Sequence, residues 1–298
     1  MLESRMGEIT ALLTAMFWTV TAMSFEAASK RIGSLAVNFW RLIFGILFLS
    51  LFNYFFRGLL LPVDATPFQW TWLSISGLVG VVMGDLLLFQ AFVVIGARIS
   101  MLIMAVVPPI TALTGWLIMG EVLQPLDFLA MAITISGIAL VVLQRNPGQK
   151  NVRLSHPIKG VLLAFGGATG QAIGLVLSKY GMGTYNAFAA TQIRLFAGVT
   201  GFSILFLFLK AWPRVLQAVK NRKGLTFTIV GAFFGPFLGI AFSLLSVQYT
   251  ATGIASTIMA IIPVLIIPPA VIFFKEKVTV KEILGAVLAV AGVALLFR

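Results

Sequence analysis

The chain has no cysteine, one histidine and only nine acidic residues, set against 21 lysines and arginines in 298 positions. Without cysteine there is neither a disulfide framework nor a thiolate metal site. The single histidine, His156, stands before Pro157 in a loop-like stretch, so neither a histidine metal cluster nor a Ser-His-Asp triad can be built within the membrane. No GxxxxGK[ST] run occurs, which removes the phosphate cradle of an ATP-driven machine. Charge of either sign is scarce: 10% of residues are charged against 60% apolar, and the mean hydropathy is +1.05. Such a composition lies outside the soluble range and belongs to an integral membrane protein.

What the sequence has in place of charge is long apolar runs. Ten of them fall near 7–28, 34–56, 68–93, 99–119, 126–144, 158–178, 185–209, 224–247, 252–273 and 280–297, each of about 18 to 25 residues and able to cross a hydrocarbon layer of about 30 Å. They lack the apolar/polar alternation of a porin wall, so a β-barrel is excluded. The first run exceeds the usual apolar core of a signal peptide, and it has a counterpart at 160–178; it is therefore read as a mature helix. The fold expected is all-α, with ten transmembrane helices numbered here as spans 1 to 10.

The chain repeats itself. Met104, Pro108, Glu121 and Gly137 recur as Met259, Pro263, Glu276 and Gly292, and Gly80 and Gly84 recur as Gly235 and Gly239, all at an offset of 155 residues. Upstream the offset slips by two, with Gly7, Arg41, Leu42 and Gly45 returning as Gly160, Arg194, Leu195 and Gly198. The chain is two copies of one half: residues 1–145, a basic linker at 146–157, and residues 158–298. Because each half holds five spans, an odd number, the second copy enters the membrane in the opposite direction. Inverted repeats of this kind build many secondary transporters, with the substrate held near the midplane between the halves.

A net charge of +12 could suggest nucleic acid, but sorting the basic residues by loop gives another reading. Fifteen fall on one side: Lys30, Arg31, Arg98, Arg145, Lys150, Arg153, Lys159, Lys210, Arg214, Lys220, Arg222, Lys223, Lys275, Lys277 and Lys281. The other side holds Arg5, Arg57, Lys179 and Arg298. The positive-inside rule makes the crowded side cytoplasmic, puts both termini outside a cell inner (plasma) membrane, and leaves the charge as topology and attraction to anionic lipid rather than to nucleic acid.

Trp18, Lys30, Arg41, Gln90-Ala91, Ser100, Pro108, Gly120-Glu121 and Gly137 in the first half, with Lys179, Arg194, Ala255-Ser256, Pro263, Glu276 and Gly292 in the second, resemble the EamA repeat of the drug/metabolite transporter superfamily. The resemblance covers nearly the whole chain. It implies a ten-helix exporter or exchanger of small metabolites, as in the superfamily's amino-acid and aromatic-compound exporters, with spans 1, 3, 4, 6, 8 and 9 lining a cavity. The halves differ where Gln171 stands opposite Trp18 and Ile240 opposite Asp85.

Candidate contacts follow from polar or breaking residues inside apolar helices. Trp18, Gln90, Gln171, Gln248 and Tyr249 carry polar groups that seek the bundle interior, either to meet substrate or to join helices. For Tyr249, near a helix end, an interface belt position is the alternative. Pro108 and Pro263 stand within spans 4 and 9, where a proline frees a carbonyl that can face a cavity but not lipid. Met104 and Met259 suit an adaptable wall. Pro268-Pro269 has no counterpart. Glu121 and Glu276 read as helix-end or gating contacts. Gly166, Gly167 and Gly170 permit close helix approach, as do Ala97, Ser100, Ala255 and Ser256.

Three charges lie deep in apolar runs, Arg41, Arg194 and Asp85, and each needs a partner. Arg41 and Asp85 fall at similar depths and suit a structural ion pair; the alternative gives Asp85 a coupling proton, which the second half, lacking the acid, does not echo. Both arginines are placed towards the cytoplasmic ends of their helices, away from the midplane. A cavity with apolar walls and few amides then suits neutral or aromatic amino acids better than sugar phosphates. The expected function is a secondary-active exporter working by alternating access, without cofactor or metal, as a monomer or homodimer. A passive channel and, more weakly, an intramembrane enzyme are the rival readings.

Overall fold

A computed structural model describes residues 6–119, 125–145, 152–154, 156–249, 255, 258–275 and 277–296. Gly120, Glu121, Ser256, Glu276 and most of the linker lie outside the described residues. Span 1 is Met6–Ile32 and span 2 is Ser34–Arg57. An apolar helical stretch of 52 residues follows, Pro67–Ile118, which as one rod would reach about 78 Å, more than twice the thickness of a bilayer core. Gly96 divides it. Its φ of 79° and ψ of 163° are not helical, so span 3 is 67–95 and span 4 is 97–119. Span 5 is Pro125–Val142, span 6 Ile158–Met182, span 7 Ala187–Leu209 and span 8 Arg222–Tyr249. Span 9 runs through the short helices Ile262–Leu265 and Ile267–Phe274, and span 10 is Val280–Leu296.

The all-helical, ten-span organisation in two inverted sets of five accounts for every one of these helices. Two additions lie between spans. Leu143–Arg145 pairs antiparallel with Val152–Leu154, a three-residue exception to the all-α expectation that pinches the linker. A short helix, Trp212–Gln217, joins spans 7 and 8, and Trp40 of span 2 donates to its Val215 carbonyl at 2.9 Å.

Local chemistry sets several of the boundaries. Thr66 and Gln69 form a reciprocal capping box before Pro67, where a missing N–H costs nothing. Asn186 Oδ1 accepts from the Phe188 and Ala189 amides to start span 7. Asn221 Oδ1 does the same for Gly224 at the start of span 8.

The halves interlock rather than sit side by side. Span 1 packs on span 8 of the second half, span 6 packs on span 3 of the first, span 2 packs on span 7 and span 5 on span 10. Glycines allow these approaches. A Cβ on Gly170 or Gly174 of span 6 would stand 2.7 Å from Gly84 Cα or 2.8 Å from Gly80 Cα of span 3. The repeated pair Gly137 and Gly292 does the same at the contact of spans 5 and 10: a Cβ on either would come within 2.5 Å of the facing backbone, at Ala289 N or Thr134 N.

Spans 3 and 8 share a second feature that explains the recurrence of Gly80 and Gly84 as Gly235 and Gly239. Both glycine pairs lie in π-helical segments, Gly77–Gly84 and Phe233–Gly239, a wide winding found mostly in short insertions at functional sites. Within each, the glycines admit a side chain or a backbone from elsewhere: Trp18 lies on Gly239, and the Gln171 backbone on Gly84.

Candidate functional site

One cavity of about 140 Å³ lies between the halves; the second π-helical segment lends it Gly235 and Pro236, and the first ends at Gly84, just before the lining residue Asp85. Trp18, Thr21, Ala22 and Phe25 come from span 1, Asp85, Leu88, Phe89 and Phe92 from span 3, and Met101, Met104, Ala105, Val107 and Pro108 from span 4. The second half gives Gln171 and Leu175 from span 6, Gly235, Pro236, Ile240 and Ser243 from span 8, and Met259, Ala260, Ile262 and Pro263 at the start of span 9. Spans 2 and 7 contribute one residue each, Arg41 and Arg194. The six lining spans that the resemblance implies are all there; the two arginine-bearing spans are extra.

The placement of these arginines corrects the sequence reading. Each sits seven residues into its helix, about 10 Å along it; because spans 2 and 7 of the inverted halves run in opposite directions, the two arginines do not both lie towards the cytoplasmic face, and both reach the cavity wall instead of lying off at a helix end. Arg41 Nη2 meets Asp85 Oδ2 at 2.5 Å, with side-chain exposures of 3% and 7%. Asn38 Oδ1 accepts from Arg41 Nε at 3.3 Å, and the Arg41 guanidinium lies 4.8 Å from the centre of the Phe89 ring. Gln171 Nε2, from the other half, donates to Asp85 Oδ1. Asp85 thus receives one donor from each half and ties them together beside the cavity.

Arg194 is different. It is 4% exposed, and its Nε has no hydrogen-bond partner among the described residues. Its Nη2 lies over Gly80, where a Cβ would come within 3.1 Å of it. Ile240 occupies the position in the second half that Asp85 holds in the first, so the duplication supplies this arginine with no matching acid.

The other candidates divide. Trp18, Met104, Pro108, Gln171, Met259 and Pro263 line the cavity. Gln90 does not; its Oε1 accepts from Ser34 Oγ at 2.9 Å and joins spans 2 and 3. Tyr249 is 59% exposed at the end of span 8, the interface alternative. Gln248 donates to the Tyr185 carbonyl at 2.6 Å. The prolines do not sit in unbroken helices. A 3-10 turn at Met104–Val106 precedes Pro108, and Pro263 and Pro268 each open a restarted helix. In a first turn the missing N–H had no partner to lose, so the large penalty of an interior proline does not arise.

Glu26 was not singled out by the sequence. It is 3% exposed in span 1, pairs with Lys30 at 2.5 Å, and its Oε2 accepts from the Ala97 amide at 2.9 Å. It caps span 4 where Gly96 breaks the helix. The i, i+4 spacing of Glu26 and Lys30 was visible; that a carboxylate would serve a helix start 71 residues away was not.

Comparison with known proteins agrees with this architecture. The model of the EamA-like transporter family matches residues 5–143 and again 158–298. One solved crystal structure, described only as that of a protein, is 17% identical, covers 97% of this chain and 95% of its own, and superposes with a TM-score of 0.61; at that identity it supports the fold. No curated protein matches the chain. With the family model spanning both halves, the chain is a multi-pass membrane transporter of small molecules. The chain belongs to the EamA-like transporter family.

Proposed function

We propose that the chain is a secondary-active exporter of small metabolites, of the class of neutral or aromatic amino acids, whose halves rock around the central cavity by alternating access. The observation that carries this reading is the cavity wall. Trp18, Phe25, Phe89 and Phe92 give it aromatic faces, Met101, Met104 and Met259 give it pliable ones, and both halves contribute. Energy comes from a gradient or an exchange, consistent with the missing P-loop. The distribution of basic loop residues, fifteen against four, supports a location in the cell inner membrane with both termini outside. The protein works as a monomer or homodimer.

Counterflow in proteoliposomes tests the carrier reading. Vesicles loaded with an unlabelled amino acid are given the labelled one outside, over a panel of neutral, aromatic and charged amino acids and sugar phosphates. A carrier saturates and is accelerated by substrate on the far side. Flux that neither saturates nor trans-stimulates means a channel, and preferred exchange of a sugar phosphate refutes the substrate class.

A further inference from the structure

We infer that Arg194 is the anchor for a carboxylate on the substrate, and that the cavity selects monoanionic head groups attached to an apolar or aromatic body. The inference rests on the cavity being the transport site, and deepens that reading by assigning the head group. It starts from charge. Three ionic side chains reach the wall, and two of them, Arg41 and Asp85, neutralise each other at 2.5 Å. What remains is one positive charge, on Arg194.

Asp85 acts on that charge through space, but its two carboxylate oxygens are engaged by Arg41 and Gln171 and it makes no hydrogen bond with Arg194. Nε is buried without an acceptor, and no carboxylate forms an ion pair with Arg194 among the described residues. Leaving a buried donor unsatisfied is costly, more so for a charged group, and a cation in an apolar bundle is costly in itself. A site that retains such a group gains most from a ligand that supplies the missing acceptor. A carboxylate does so with two oxygens in one plane, matched to the planar guanidinium.

Two further features narrow the class. With Arg41 occupied, one guanidinium is left, which matches a single negative charge and under-serves a phosphate dianion. The neighbouring wall is apolar, with Trp18, Phe89 and Phe92 around a cavity whose polar groups are few. The ligand is therefore a carboxylate with an apolar body. The cation has no spare acidic neighbour at Ile240, so the acceptor comes from outside the protein.

The test compares acids with their own carboxamides in purified protein reconstituted in vesicles. Counterflow is measured with L-phenylalanine, L-leucine and phenylacetate, and competition with phenylalaninamide, leucinamide, phenethylamine and phenylacetamide. Binding is followed in parallel by intrinsic tryptophan fluorescence. Each acid is expected to compete at least about tenfold better than its amide, in line with the 1.5–3 kcal/mol of a charge-assisted hydrogen bond. Arg194→Gln should bring acid and amide together, and Arg194→Lys should restore part of the preference. Amides or amines exchanged as well as acids, or an acid preference that survives Arg194→Gln, overturns the assignment while leaving the transport reading standing. No exchange with any of these probes overturns both. Should Arg194→Gln fail to fold, the wild-type comparison and Arg194→Lys still decide, since a preference unaltered by the lysine variant counts against the fitted guanidinium.

Discussion

Arg41 and Asp85 meet at 2.5 Å across spans 2 and 3, with both side chains almost sealed from solvent. Gln171 of the opposite half closes on the same carboxylate, so the pair is at once a local ion pair and a link between repeats. Pairs of this kind contribute little net stability relative to a well-packed apolar replacement, but the loss of one partner strands the other. Arg41→Leu alone should therefore destabilise the protein by about 3–5 kcal/mol, and adding Asp85→Leu should recover part of the loss. Thermal unfolding of the detergent-solubilised variants, followed by circular dichroism, measures it. Strictly additive losses would show that the two charges act independently.

Arg194 gives the contrast within the same cavity. Since its Nε holds no partner, Arg194→Gln should unfold within a few degrees of the parent, while Arg41→Leu falls well below it. Equal losses for the two would mean that the second arginine also braces the bundle.

Glycines where spans of the two halves meet make contacts which a methyl group would block. Gly170→Ala would put a carbon 2.7 Å from Gly84 Cα, and Gly137→Ala would put one 2.5 Å from Ala289 N. In both cases the obstacle is backbone, which cannot rotate away. Each substitution should cost about 1–3 kcal/mol, the usual range for overpacking. The readout is the fraction of monodisperse protein left after a heating series. Wild-type behaviour in both variants would mean that the helices can part without loss.

Much of this was legible in the sequence because it depended on repetition and periodicity. Ten apolar runs gave ten spans, an odd number per half gave the inversion, and Gly80, Gly84 and Gly137 were marked by their return in the second copy. What the sequence could not show was direction around a helix axis. Depth alone placed Arg41 and Asp85 together correctly, yet it sent Arg194 off the cavity wall that it occupies. Gln90 and Gln171 looked alike as amides in apolar helices; one bonds Ser34 and the other reaches Asp85. The π-helical winding and the role of Glu26 depend on contacts between distant segments, and neither leaves a local signature.

Glu26 and Gly96 make the turn between spans 3 and 4. Gly96 has a φ of 79°, which a side chain rarely tolerates, and the Ala97 amide that follows is satisfied by Glu26 Oε2 at 2.9 Å. Glu26→Ala removes that acceptor and should cost about 0.5–2 kcal/mol, as for the loss of a helix cap. Glu26→Gln keeps an oxygen in place and should lose less. Hydrogen exchange at residues 97–101 provides the local readout: protection should fall most in Glu26→Ala, and unchanged protection there would exclude the capping role.

At the end of span 2, Arg57 joins the loop residues Asp64 and Tyr185 in a contact between the halves. Arg57 Nη2 meets Asp64 Oδ2 at 2.6 Å, and the Tyr185 hydroxyl donates to Asp64 Oδ1 at 2.8 Å. Partial burial first, and then the bond to Asp64, push the Tyr185 phenol up to about 12. For an acid whose folded pKa is raised, the stabilisation is fully present below the unfolded value of about 10 and is lost as pH rises through the folded value. Stability from this contact should therefore hold steady up to about pH 10 and decline between there and 12. Ultraviolet titration of the phenolate band reads the four tyrosines: Tyr185→Phe should delete the latest-titrating phase, and Asp64→Asn should move that phase down by removing the carboxylate that holds the proton. A late phase that persists in Tyr185→Phe would assign the raised group to another tyrosine and remove the basis for this contact's alkaline loss.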